Sequence, residues 1–524
     1  MKRVILVISS TFALGFWSEV FAESFGCPKP YSSHNPMSVK SFAKTYGGGW
    51  DYAYSVQQTS DGGYIVAGVT LYFSVGDPDI FLIKTYVDGN VQWSKTYRGS
   101  GMRGDEAYSV QQTSDGGYIV AGVTESFGVG DDDIILIKTD ANGNIIWAKT
   151  YGGTDNDSVY SVQQTSDGGY IVAGSTYSFG AGSSDIFLIK TDADGNIQWA
   201  KTYGGTSVDV AYSVQQTSDG GYIVAGKTHS FSGGGVFLMK TDANGSIIWA
   251  KNYGGARASS VQQTLDGGYI VTGDIGYDIF LIKTDANGNI VWAKTYGGTY
   301  SDYAYSVQQT SDGGYIVAGY TNSFGAGWYD IFLIKTDANG NIQWAKTYGG
   351  TDDEEAYSVQ QTSDGGYIVA GATTSFGASW LNIFLIKTDA NGNIGSCSIV
   401  QNASPTVNTV SPTVNTPSLS VSSVSPTVNS VSPAFTSPTP SVSSPCPLSI
   451  SEFCQVVSGL ITPYKDGIKV RGSGEFDVKV YNVSGGVVKS ARGKNEVKIE
   501  LSRGVYFVEV ISGGKVIREK VVIR

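Results

Sequence analysis

The chain has 524 residues, with 35 Lys and Arg against 46 Asp and Glu and a formal net charge of −11. Charged residues are 15% and hydrophobic residues 41%, which excludes a disordered polyanion and a membrane bundle, and the acidic balance argues against nucleic acid as a partner because phosphates need a basic surface. Glycine at 69 residues, with 33 Tyr, 21 Phe and 10 Trp, predicts an all-β fold with many tight turns.

Residues 1–22 read as a secretory signal peptide. Lys2 and Arg3 form its basic start, Val4 to Trp17 its apolar stretch, and Val20-Phe21-Ala22 a small-residue cleavage site, with cutting expected after Ala22. No later stretch can cross a membrane as a helix, so the mature chain is expected to be secreted or held at the outer cell surface, without a transmembrane segment. A lead-in follows at 23–37.

Residues 38–400 are dominated by internal repetition. SDGGYIVAG or a near copy recurs with its Asp at Asp61, Asp115, Asp167, Asp219, Asp266, Asp312 and Asp364, seven copies in all. Each unit carries four β-patterned runs, in the sixth YSVQQT from Tyr305, YIVAGYT from Tyr315, DIFLIKTD from Asp330 and NIQWAKTY from Asn341. Asp-Gly-Gly and Asn-Gly separate them, the chemistry of hairpin turns that need positive φ. Four antiparallel strands every ~50 residues describe a propeller blade.

The ends of the array predict ring closure. Trp93, Trp147, Trp199, Trp249, Trp292 and Trp344 mark the fourth strand and are expected to pack between blades, but in the last unit Ser396 stands in that place. The missing strand lies before the first unit, where Ser41 to Gly48 match its second half with Phe42 in the Trp position. The expected fold is a seven-bladed β-propeller closed by an N-terminal strand; an open β-solenoid is the alternative.

Four cysteines allow three pairings in an exported chain. Cys446 and Cys454 are near neighbours, and a Cys27–Cys397 bond would lock the ring closure.

The Asn-Gly and Asp-Gly-Gly turns scarcely vary and share one face. The connections between strands two and three and those between blades vary and share the other, the general layout of a binding surface. Trp50, Tyr52, Tyr303, Trp328, Tyr329 and Trp380 fall there with Asp352 and Asp353, aromatics beside carboxylates that suit a glycan or a surface-protein partner. Solvated loops account for the acidic runs Asp131-Asp132-Asp133, Asp155 with Asp157, and Asp352-Asp353-Glu354-Glu355, and no cofactor or metal is expected. The two histidines, His34 and His229, and the absence of a nucleophile motif leave little basis for catalysis.

The repeat order is similar to that of WD-repeat propellers without their Trp-Asp dipeptide. The units WAKTYGG, SVQQTSDGGYIVAG and DIFLIKTDANGN resemble those of secreted bacterial tandem-repeat proteins, a resemblance that covers Ser38 to Asn393 and implies no defined activity.

Residues 401–446 are Ser, Thr, Pro, Val and Asn, with SPTVN at Ser404, Ser411 and Ser425, and read as an extended linker. From 447 to 524 the chain is basic, with 13 Lys and Arg against 8 Asp and Glu, and alternates as strands, expected as a small antiparallel β-sandwich. Val478 to Gly485, Ile499 to Val508 and the terminal Lys520 to Ile523 resemble the C-terminal sorting domain of type IX secretion substrates, although Ile461-Thr462-Pro463-Tyr464 replaces that family's Pro-Asn-Pro start. The resemblance implies handling by export machinery and attachment at the surface, or release. The expected function is an exported binding or scaffold protein, not an enzyme. The alternatives are a secreted polysaccharide hydrolase or lyase using loop carboxylates, and a structural surface-layer component.

Overall fold

The computed structural model describes residues 6–8, 41–74, 77–99, 104–231, 234–377, 380–395, 397–410, 420–423, 427–430, 434–436, 441–443, 445–446, 461–464, 467–481, 487–501, 504–512 and 515–523. They fall in two compact units, Ser38–Cys446 and Pro447–Arg524 with Met1–Met37.

Seven sheets form the first unit. In blade one the strands are Asp51–Gln58, Tyr64–Thr70, Asp79–Thr85 and Val91–Arg98, from the axis outward. The middle two are buried throughout, because each lies between the faces of two neighbouring sheets. The apolar core is accordingly divided into interfaces between blades. One joins Ile279, Leu281 and Tyr296 of blade five to Val307, Tyr315 and Phe332 of blade six.

The closing blade is built as expected. Phe42–Gly47 pairs antiparallel with Asn382–Thr388 and supplies the fourth strand of blade seven. Phe42 meets Tyr64 edge-on at 6.0 Å, as Trp292 meets Tyr315 at 5.9 Å. The seam between blades seven and one is therefore the same aromatic interface as the others.

Two polar devices recur in every blade. The fourth-strand tyrosine reaches the Asn-Gly or Asp-Gly turn of the following blade, as when Tyr97 Oη donates to Gly143 O at 2.7 Å. Gly143 has φ +73°, and an added Cβ would lie 2.8 Å from the Trp93 ring, so glycine is required twice over. The Asp of each SDGG turn pairs with a lysine on strand three: Lys335 Nζ lies 2.9 Å from Asp312 Oδ2, with the lysine side chain 3% exposed and the aspartate 51%. Lys335 also donates to Thr336 O at 2.8 Å, so its charge is held inside the blade with its protons directed.

The segment expected to be a linker behaves differently. Val400–Asn402, Thr406–Thr409, Ser420–Ser423, Thr427–Ser430, Ala434–Thr436 and Ser441–Ser443 pair antiparallel with the outer strands of blades six, five, three, two, one and seven. The register repeats: Val400, Val407, Val421, Val428, Phe435 and Val442 stand opposite Tyr348, Tyr296, Tyr203, Tyr151, Tyr97 and Tyr46. The physical reason is the outer edge of each blade, a row of unpaired N–H and C=O groups that an uncharged β-forming chain can satisfy. Blade four has four strands among the described residues.

The cysteine pairings differ as well. Cys397 bonds Cys446, with Cα atoms 5.0 Å apart, because these outer strands, a belt along the blade edges, bring Cys446 back to blade seven where they began. Neither the Cys27–Cys397 nor the Cys446–Cys454 pairing forms, and Cys27 and Cys454 themselves lie outside the described residues.

The second unit is all-β. Its strands Ile461–Tyr464, Gly467–Tyr481, Val487–Glu500, Gly504–Ser512 and Lys515–Ile523 pair antiparallel, and Leu6–Ile8 of the expected signal peptide lies parallel to the last.

The turn aspartates set the acid limit of the propeller. Partial burial opposes ionisation of Asp312, but hydrogen bonds from Thr310 and Lys335 outweigh it and hold the carboxyl at about 2 against an ordinary 3.8. A folded value below the unfolded one contributes stability that is complete above pH 3.8 and is lost as pH falls through about 2. Asp115, Asp167 and Asp219 sit at about 2 for the same reasons, so unfolding followed by Trp fluorescence should show stability falling within that window. Asp312→Ala should cost roughly 1–3 kcal/mol at neutral pH, since the half-exposed aspartate reduces the value of a fully buried pair.

Candidate functional site

Every first strand has a bulge that re-aims one residue toward the axis. In blade one the register shifts between Ala53 and Ser55, leaving Tyr54 outside the ladder. The matching residues Tyr54, Tyr108, Tyr160 and Tyr212 form successive ring contacts at 5.2, 5.7 and 5.1 Å. Tyr357 completes the other side, 5.2 Å from Tyr54 and 5.1 Å from Tyr305. Blade five has Ser259 instead, and Arg257 occupies the gap with its guanidinium 5.9 Å from the Tyr212 ring and 5.0 Å from that of Tyr305. Asp274 holds Arg257 Nε at 2.8 Å, and Arg257 Nη2 donates to Tyr305 Oη at 2.9 Å. The result is an aromatic girdle completed by one cation.

The residues just outside the girdle differ from blade to blade. Tyr108 Oη donates to Glu106 at 2.6 Å, and Tyr357 Oη donates to Glu355. Burial pushes the Glu355 carboxyl above its ordinary value; the Tyr357 hydrogen bond opposes this and the charge of Asp353 adds to it. Burial likewise raises the phenols of Tyr54, Tyr108 and Tyr357, so these three hydroxyls remain protonated donors at neutral pH.

The sequence candidates divide into two groups. Tyr52 stacks on Tyr54 at 5.8 Å, Tyr303 contacts Tyr320 at 5.1 Å, and Tyr329 contacts Tyr320 at 5.3 Å. Tyr320 lies 5.5 Å from Tyr305, so these three join one aromatic path that runs from the loops to the axis. Trp50, Trp328 and Trp380 instead stand open, 59%, 73% and 86% exposed. Trp50 forms a backbone bridge with Leu381, beside Trp380. Gly327, beside Trp328, abuts the Asp352 backbone, where an added Cβ would lie 2.1 Å from the carbonyl oxygen. The indoles and the exposed Asp352 and Asp353 therefore occupy one sector, on the loops of blades six, seven and one.

The acidic runs come apart in three dimensions. Glu354 is fully buried and accepts from Gly350 N at 2.7 Å and Thr373 Oγ1 at 2.6 Å. Asp157 accepts from Gly153 N at 2.7 Å and Ser178 Oγ at 2.8 Å, and Asp133 accepts from Val129 N at 2.8 Å. These carboxylates tie down loop backbone. Among the described residues no group of three His, Cys, Asp or Glu is placed to hold a metal.

Further along the inner strands, seven Val–Gln pairs, Val56 and Gln57 in blade one, line an open depression of about 230 Å3. Each glutamine oxygen accepts a backbone N–H from the neighbouring blade, as when Gln112 N donates to Gln57 Oε1 at 2.6 Å. The ring closes in the same way, with Gln58 N donating to Gln360 Oε1 at 2.6 Å. Sequence reasoning missed both this ring and the girdle. Their signal was the invariance of QQ, together with the single loss of Tyr at Ser259 beside the one Arg at that strand's start.

Residues 462–524 match the family described as the secretion system C-terminal sorting domain. The chain thus carries an export signal of that kind, and its destination is the cell surface or the exterior. A stretch of 114 residues is 32% identical to the regulatory protein FlaEY of Caulobacter vibrioides, covering 19% of this chain and 12% of that protein's length. Among solved structures, Sqt1 from Chaetomium thermophilum aligns at 12% identity and TM-score 0.40, covering 63% of this chain and 82% of its own. YCF48 bound to D1 peptide aligns at 11% identity and TM-score 0.41, covering 68% and 97%.

One carboxylate on this face titrates near neutrality. Asp79 Oδ2 is buried without a hydrogen-bond partner. Burial, aided by Asp105 and Asp77 and opposed by Arg98, pushes the carboxyl up to about 7 from 3.8. A raised folded value makes the ionised form a liability above pH 7, one that disappears below pH 3.8. Asp79→Asn should therefore raise the melting temperature at pH 8 and lose that advantage in acid, a comparison that calorimetry at about pH 8 and about pH 4 makes directly.

Proposed function

We propose that this chain is an exported binding protein whose propeller presents the loops of blades six, seven and one to a glycan or protein partner. The C-terminal domain would serve export and anchoring, and the leader would be removed after Ala22. The observation that supports this reading is the cluster of open indoles Trp50, Trp328 and Trp380 beside Asp352 and Asp353. Flat exposed rings stack on sugar faces or anchor a protein partner, and adjacent carboxylates accept hydrogen bonds from hydroxyl or amide donors. A binder is favoured over a polysaccharide hydrolase because the carboxylates nearest the axis are already engaged: Glu106 and Glu355 by tyrosines, Glu354 by loop backbone.

The test uses the full chain purified from its exporting host, screened on a glycan array and by affinity capture from cell-envelope extracts. The triple variant Trp50→Ala, Trp328→Ala, Trp380→Ala should weaken the ligand found by at least about a hundredfold, as expected when anchor aromatics are truncated. Exposed positions tolerate this change, so circular dichroism should be unaltered. Retained affinity in the triple variant would remove the sector from consideration. Turnover on a polysaccharide panel would replace the binding reading with the hydrolytic one.

A further inference from the structure

The belt and the disulfide together have a topology that neither has alone. Starting at Cys397 beside blade seven, the chain passes outside blades six and five, then three, two and one, and returns to blade seven at Ser441–Ser443. Cys446 then bonds Cys397, closing a loop with a sequence separation of 49. The blades themselves run in the opposite sense around the same axis. The described strands of that loop lie outside six of the seven blades.

We propose that residues 397–446 form a disulfide-closed hoop that keeps the propeller ring from opening, and that the thiol state of Cys397 and Cys446 decides whether it can. Phe42–Gly47 is joined to blade one through Gly48–Trp50 alone, so to open, that strand must leave Asn382–Thr388 and blade one must part from blade seven, breaking the ladder and the bonds from Val56 N to Ser358 Oγ and from Gln58 N to Gln360 Oε1. The belt strand Ser441–Ser443 pairs with Phe42–Gly47, whereas Cys397 follows Asn382–Thr388, so the Cys397–Cys446 bond spans the opening and closes the belt across it. With the disulfide formed, the perimeter is fixed and the seam cannot widen without stripping belt strands from several blades together. A dithiol reductant removes this limit: one thiolate attacks a cystine sulfur, the second displaces the mixed disulfide, and Cys397 and Cys446 leave as thiols while the reductant becomes a disulfide. Once peeled away, the same residues would become a free spacer ahead of Pro447.

A local bond between two neighbouring cysteines would stabilise too, so the experiment must separate a hoop from a tie. Full-length protein carrying a specific protease site between Ser430 and Ala434 is folded, oxidised and then cut, leaving the disulfide to hold the C-terminal piece. Unfolding rates in guanidinium are compared for intact oxidised, intact reduced and cut oxidised protein. The hoop predicts that reduction and cutting each speed unfolding by roughly tenfold or more, because both act on the native state and its barrier. Reduction should also make residues 397–446 sensitive to proteolysis. Cut protein that unfolds at the intact oxidised rate would show a tie and overturn the hoop, as would reduction without effect. Cys397→Ser with Cys446→Ser should match the reduced protein; if that variant does not fold, reduction of the native chain still decides.

Discussion

A four-stranded sheet leaves a row of unpaired backbone N–H and C=O groups along each margin, and a ring of such sheets turns one margin to the axis and the other outward. Much of this molecule is a response to those two margins. At the axis, side chains supply the missing partners: Ser55 Oγ receives Val110 N at 3.2 Å and Gln57 Oε1 receives Gln112 N at 2.6 Å, so each inner strand is stitched to the next. At the perimeter, a second stretch of backbone does the same work as the belt. With the margins satisfied, the apolar faces are left to pack blade against blade.

The propeller was legible because its signals are local and repeated. Period-two runs, Asn-Gly and Asp-Gly-Gly turns and a recurring Trp each specify structure within one unit, and Phe42 showed where the broken unit closes. The belt was not read, although its repeat was visible as SPTVN at Ser404, Ser411 and Ser425. Low hydropathy and proline suggested a chain with no core of its own, and that inference was sound. What composition does not show is an acceptor surface elsewhere, and here six outer strands provide one. The prolines Pro405, Pro426, Pro433 and Pro440 each fall just before a belt strand, where a missing N–H costs the ladder nothing. The disulfide was misassigned for the same reason, since only the path of the belt brings Cys446 to Cys397.

The candidate site was half legible. Loop aromatics were found because variation is conspicuous against near-identical repeats. The axial girdle was hidden because six identical tyrosines look like strand filler until a bulge turns them inward. Carboxylates were the least readable residues of all. Asp312 holds a buried lysine, Glu354 ties down a loop, Glu355 meets a tyrosine, and Asp352 faces solvent. Adjacent acids on a strand point to opposite sides and so have different environments, which a run of letters does not convey.

The belt also counts. Among the described strands its valine or phenylalanine falls at multiples of seven residues, at Val400, Val407, Val421, Val428, Phe435 and Val442, one for each of six blades. A propeller grown by duplicating repeats can gain or lose a blade by unequal recombination within its near-identical units. Here such an event would leave the perimeter longer or shorter than the strap around it, and Cys446 would no longer arrive at Cys397. On the hoop proposed above, a change in blade number would therefore require a matching change in the length of the strap.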